Sequence, residues 1–275
     1  MKFLTVFILV TFYRNWMGDH PLKEQNPAAV WFSAVSRRIT SLNLNFLVSV
    51  ALPSAMLLLI SIELHDWFLG LFWLALSVVV LVYCVDLMDT DTAFGDQLIW
   101  LRNLQDEDGK HDMEQLQQSQ ANFSEDITYF VFQNMVPALF WFLLLGPAGA
   151  LFYSLSRGYL EQFEEHPQES NPVELILFWM EWIPARVSIL IFALLGEFNR
   201  TWEVFIDSIV DTDVAATVSL SKAADSAIGK RHQEYSSVND FVVQTEVELN
   251  HLKPLLDRSL WGWLGVAAIL TILGL

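Results

Sequence analysis

Residues 127–196 constrain this chain more than any other stretch. From 127 to 156 there is no charged residue, a run longer than the roughly 20 apolar residues a straight membrane helix needs. Pro137, and Gly146 with Pro147, interrupt it. Proline removes a backbone donor and clashes with the preceding turn, so a kink or break is expected at each place. The second half sets Glu181 and Arg186 inside the apolar sequence FWMEWIPARVSILIF. A charge at membrane depth costs at least about 2.5 kcal/mol and faces a partner or a wet cavity. The least lipid-like chemistry of the chain is concentrated here.

Other uncharged runs flank this stretch, and 53% of the chain is hydrophobic against 17% charged. The pattern predicts an all-α, polytopic helical membrane protein with cytoplasmic helical loops, organised as one membrane domain over residues 1–275. Spans are expected at about 45–62, 67–85, 130–156, 173–196 and 259–275, the first kinked by Pro53. Residues 3–13 follow Lys2 as a signal sequence would, but no small-x-small cleavage site follows them. They read as an uncleaved helix that dips into the membrane or packs on its neighbours. The segment AAVWFSAVSRRITSLN reads as an amphipathic helix at the interface. Ser124, Glu125 and Asp126 suggest a helix start, as do Asn171, Pro172 and Glu174.

Charge sets the topology. With residues 1–44, 86–126 and 197–258 on one side, thirteen of the 15 Lys and Arg lie there, leaving Arg157 and Arg186. The positive-inside rule makes that side cytoplasmic. The formal charge of -17 excludes a broad basic surface, so nucleic acid is not an expected partner and membrane lipid is.

Arg186 and Glu181 lead the candidate polar site, with Glu125, Asp126 and Asn134 nearby in sequence. At a spacing of five, Arg186 and Glu181 do not share a helix face cleanly, although Pro184 between them could draw them together. One reading is an anion site near the membrane surface. The other, favoured here, is a structural charge pair or a snorkelling side chain. Gly146 and Ala150 could border a ligand cavity, but small residues at this spacing more often let helices approach closely. The segment AIGKR lacks the first glycine and the Ser/Thr of a phosphate loop. Asp86, Asp89, Asp91 and Asp96 lack the spacing of a calcium loop and read as a solvated face. The six histidines are scattered, and Cys84 stands alone, so neither a metal nor a disulfide is expected. No catalytic motif is found, and no cofactor is expected.

The segments PALFWFLLLGPAGALFYSL at 137–155 and EWIPARVSILIFALLGEF at 181–198 resemble, in this order, the AmpE family of inner-membrane proteins. The resemblance implies a multi-pass protein of the bacterial inner membrane that modulates β-lactamase induction. It also implies a link to peptidoglycan recycling through AmpD or other cytoplasmic proteins of that process. The AmpE family is similar in turn to the CobD/CbiB membrane enzymes of cobalamin synthesis, which form an amide bond. Their scaffold residues match Pro137, Pro184, Ala185 and Arg186 here. Where they carry a Glu-Asn-x-x-Asp pattern, this chain has Thr128, Tyr129 and Phe132, and where they carry Asp residues before the shared Pro-Ala-Arg it has Leu177 and Phe178. Their N-terminal motif is reduced to Gly18, Asp19, His20 and Pro21. Phenylalanine cannot ligate the Mg²⁺ that nucleotide-driven amide synthesis uses. A non-catalytic regulator is the expected reading; a CobD-like ligase and a binder or transporter of a cell-wall fragment are the alternatives.

The charge asymmetry yields a test. Cysteines placed at Lys110 and Lys230 are expected to react with a membrane-impermeant thiol reagent only from the cytoplasmic side of cells. Labelling of either from outside intact cells would reverse the topology.

Overall fold

The structure, a computed structural model, describes residues 2, 4–8, 27–39, 41–64, 70–85, 90–106, 112–163, 172–230 and 235–273. Among them the regular structure is helical throughout, with no strand. The helices are α1 (Pro27–Ser36), α2 (Leu42–Phe46), α3 (Leu52–Leu64), α4 (Leu71–Cys84), α5 (Thr90–Asp106) and α6 (Met113–Leu145). They continue with α7 (Pro147–Phe163), α8 (Pro172–Leu195), α9 (Phe198–Val210), α10 (Ala216–Ala227) and α11 (Val238–Ile272). Four helical stretches are long and apolar enough to cross a membrane: Asn43–Glu63, α6, α8 and α11. The chain is an all-α membrane protein.

Several boundaries differ from the sequence expectation, each for a local reason. Residues 130–156 are divided between two helices, because Gly146 takes a left-handed φ of 74° and Pro147 begins α7. Pro137 does not break α6; membrane helices tolerate an internal proline. α4 starts only after Gly70, whose φ is 76°. At 14 residues it is shorter than the expected span 67–85. Ser124, Glu125 and Asp126 do not start a helix. The helix-forming sequence MEQLQQSQANF already carries α6 to them, and Asp112 Oδ1 accepts from the Glu114 amide at 3.0 Å at its true start. Most of the run 3–13 lies outside the described residues, as do Asn171, Asp86 and Asp89.

The chain divides into two compact units. Unit 1 comprises Met1–Leu87, Asn134–Glu181 and Leu264–Leu275. Its hub is α7, which packs on α1, α3 and α4. Tyr159 on α7 meets the rings of Phe32 and Phe46 edge-on, at 5.7 and 5.6 Å between centroids. Gly149 fits tightly: a Cβ there would lie 2.5 Å from the Trp141 carbonyl oxygen. Gly146 has open space around it. The two glycines serve different ends, one close approach and the other backbone conformation.

Two prolines share one arrangement. A proline inside a helix has no N–H to give to the carbonyl four residues earlier. Pro53 frees the Ser49 carbonyl, which takes the Trp31 Nε1–H at 3.2 Å. A π-helical turn, Leu47–Ala51, precedes this proline. The Leu143 carbonyl, left open in the last turn of α6, takes the Lys2 Nζ at 2.8 Å. Pro184 frees the Met180 carbonyl, which takes the Trp141 Nε1–H at 3.0 Å. At Pro53 and Pro184 a side chain distant in sequence replaces the missing donor.

Unit 2 comprises Met88–Gln133 and Trp182–Trp263. Phe94 on α5 meets Phe123 edge-on, and Gln97 bonds Gln120 at 2.8 Å. Lys253 on α11 forms an ion pair with Asp91 on α5. The Trp263 Nε1–H reaches Ser188 Oγ at 3.2 Å, joining α11 to α8. α9 and α10 form a helical pair. The sequence AIGKR closes α10 as a Schellman turn: Gly229 has a φ of 73°, and the Lys230 amide donates back to the Asp225 carbonyl at 2.9 Å.

The proline regularity yields a test. Trp141→Phe is expected to destabilise the protein in detergent by about 1 kcal/mol, since the Met180 carbonyl loses its donor. In a Pro184→Ala background the new backbone N–H supplies a donor, so the same substitution is expected to cost less. Equal costs in both backgrounds, measured by thermal unfolding, would sink this account.

Candidate functional site

Glu181 and Arg186 are both buried, at 6% and 5% exposure, so neither charge is left to solvent. Each is held within its own unit and by different partners.

In unit 1, Tyr153 and Arg157 stand one turn apart on α7 and turn toward the same acid. The Tyr153 hydroxyl donates to Glu181 Oε1 at 2.8 Å, and Arg157 Nη1 lies 3.7 Å from the same oxygen. Arg157 Nε also bonds Glu161 at 3.0 Å. A buried carboxylate held by a hydroxyl and a guanidinium is satisfied as an anion. Asn134, also in unit 1, has its amide nitrogen enclosed with no acceptor among the described residues.

In unit 2, Arg186 is spent on carbonyls. Its Nε and Nη2 donate to the Ser208 carbonyl at 3.1 and 2.8 Å. Nη2 also reaches the Asp211 carbonyl at 3.5 Å, and Nη1 reaches the Trp182 carbonyl at 3.4 Å. The guanidinium lies 4.4 Å from the centre of the Trp182 ring, a cation–π contact. Ser208 and Asp211 stand at the C-terminal end of α9, where carbonyls lack intrahelical donors and the helix dipole is negative. Arg186 is therefore the C-terminal cap of α9.

Glu125 is half-buried and Asp126 exposed, both inside α6. Lys230 is held by Asp225 at 3.3 Å and Glu248 at 3.7 Å. Burial, and then Glu248, Asp240 and Asp225, push the nearby Tyr235 phenol above its ordinary value. A cavity of about 430 Å³ lies along α9 and α10, lined by Val204, Asp207, Asp211, Val218 and Lys222 among others. None of the five candidate residues lines it.

Sequence reasoning missed Tyr153, Arg157, Trp182, Ser208 and Asp211. Tyr153 and Arg157 carried a legible signal, a polar pair at i, i+4 entering apolar sequence. Ser208 and Asp211 carried none, because they act through backbone carbonyls that every residue has. Among the described residues, no group of three or more His, Cys, Asp or Glu is placed to hold a metal ion.

Arg186→Gln is expected to lower stability by about 2–3 kcal/mol, since charged hydrogen bonds to buried carbonyls are lost. Arg186→Lys is expected to recover part of this, because a single ammonium cannot fork across two carbonyls. Thermal unfolding in detergent measures both; unchanged melting in Arg186→Gln would remove the capping role.

The family model of the regulatory signalling modulator protein AmpE matches residues 1–245, which include both polar sites, and the chain belongs to that family. No curated protein and no solved structure matches it.

Proposed function

We propose that this AmpE-family protein is a non-catalytic, multi-pass regulator in the bacterial inner membrane. In this reading it modulates β-lactamase induction and the response to cell-wall antibiotics, in concert with AmpD and peptidoglycan recycling. The observation that carries it is the family match, which runs through both polar sites. The geometry supports it. The Arg186 donors are directed to carbonyls of its own chain, and Glu181 is held by Tyr153 and Arg157. Charges held in this way fix helices and are not poised to activate a carboxylate or a phosphate.

The CobD-like ligase is the less favoured reading. Thr128 and Phe132, where the similar enzymes carry acids, are both buried at 3% exposure or less. Neither can serve as a carboxylate ligand for Mg²⁺.

Deleting the gene in a host with an inducible β-lactamase is expected to change enzyme output after β-lactam challenge. Wild-type protein is expected to restore the parental response. A response identical with and without the gene, with the protein present in the membrane, would overturn the regulatory reading. Product in a direct amide-synthesis assay, lost in Glu125→Ala or Glu181→Ala, would favour the ligase.

A further inference from the structure

α9 is built in reverse of a helix that faces water. It packs with α10 and buries its small residues Thr201, Val204 and Ser208. α10, which packs with it, buries Ala216, Ser219, Leu220, Ala223, Ala224 and Ala227. The large apolar residues Phe198, Trp202, Ile206 and Ile209 are left outside, at 39–44% exposure. At helical spacing they fall, with Phe205, in an arc of about 100°. Phe198 stacks on Trp202 at 5.5 Å, and Trp202 meets Phe205 at 5.2 Å. Arg200, Glu203 and Asp207 occupy a third, exposed face.

The path of the chain indicates what covers the apolar arc. α8 has the length and hydropathy of a membrane span, and it ends on exposed Leu194 and Leu195. Only Gly196 and Glu197 separate it from α9. Gly196 permits a tight junction, since a Cβ there would lie 2.3 Å from the Ala227 carbonyl oxygen. The Glu197 amide donates to that same oxygen at 2.9 Å. At its other end, α9 is tied by the Ser208 carbonyl to Arg186. Arg186 lies about 15 Å of helix before Gly196, and Ser208 about 18 Å after it. With both ends fixed, α9 runs back beside the apolar residues 187–195 of α8.

We propose that the outer face of α9 is a lipid-contacting surface. Phe198, Trp202, Ile206 and Ile209 lie among acyl chains, while Arg200, Glu203 and Asp207 face water. Phe198 and Trp202, next to the end of the span, stand where aromatic residues favour the membrane boundary. The polar face carries two acids against one arginine, and the chain has a formal charge of -17. Contact therefore rests on apolar area and needs no anionic lipid.

Nitroxide labels on the full chain, in a Cys84→Ser background, test this after reconstitution into phosphatidylcholine vesicles. At Trp202→Cys, Ile206→Cys and Ile209→Cys, collisions with oxygen are expected to exceed those with a water-soluble nickel chelate. At Glu203→Cys and Asp207→Cys the order is expected to reverse. The pattern is expected to persist at high salt and with phosphatidylglycerol added. Nickel access at the three outer sites overturns the proposal. So does low access to both reagents, which marks a protein cover, and so does an oxygen preference confined to anionic vesicles. If Trp202→Cys fails to fold, Ile206 and Ile209 decide.

Discussion

Lipid offers a carbonyl no hydrogen-bond donor, so any carbonyl that loses its helical partner at membrane depth must find one within the chain. That constraint organises this protein. Pro53 and Pro184 each free a carbonyl, and Trp31 and Trp141 supply the donors. The ends of α6 and α9 free carbonyls for a different reason, helix termination, and Lys2 and Arg186 supply the donors. Prolines and helix ends therefore set where indoles and cations must stand. The partners join segments far apart in the sequence, so repairing a local backbone defect also fixes tertiary structure.

α8 concentrates this logic. Met180 offers its carbonyl to Trp141, Glu181 takes Tyr153 and Arg157, and Arg186 takes the end of α9. The two charges that looked like a pair in sequence are each matched to another element. This division has a physical reason. A carboxylate needs donors, which a hydroxyl and a guanidinium on α7 provide. A guanidinium needs several acceptors in a fork, which a helix C-terminus provides at low cost in side-chain entropy. Matching both locally leaves neither charge bare in a medium that penalises it.

The helical class and the membrane character were legible because uncharged runs longer than a bilayer crossing have few other structural solutions. The break at Gly146 and Pro147 was legible from the residues themselves. The start of α6 was not. Ser124, Glu125 and Asp126 have the composition of a cap, but a cap forms only where the preceding residues leave the helix, and residues 113–123 do not. Arg186 was legible as an unusual residue in apolar sequence, and a structural role was the favoured reading. Its partners were not legible, because backbone carbonyls carry no sequence signature. The carboxylate in WMEWIPAR offered an apparent partner, and five residues of helix turned it toward α7.

The reading of α9 shows the same limit at the scale of an element. Arg200, Glu203 and Asp207, scattered along the sequence, make residues 197–258 look like ordinary polar cytoplasmic chain. Folded into a helix, they collect on one face. Small residues collect on a second face against α10, and the large apolar residues collect on a third. A linear average over such a segment cancels the signal that its faces keep apart. The junction at Gly196 and the Arg186 cap then fix the direction in which those faces point. A helix whose linear composition suits water is thereby held alongside a membrane span, with its aromatic side outward.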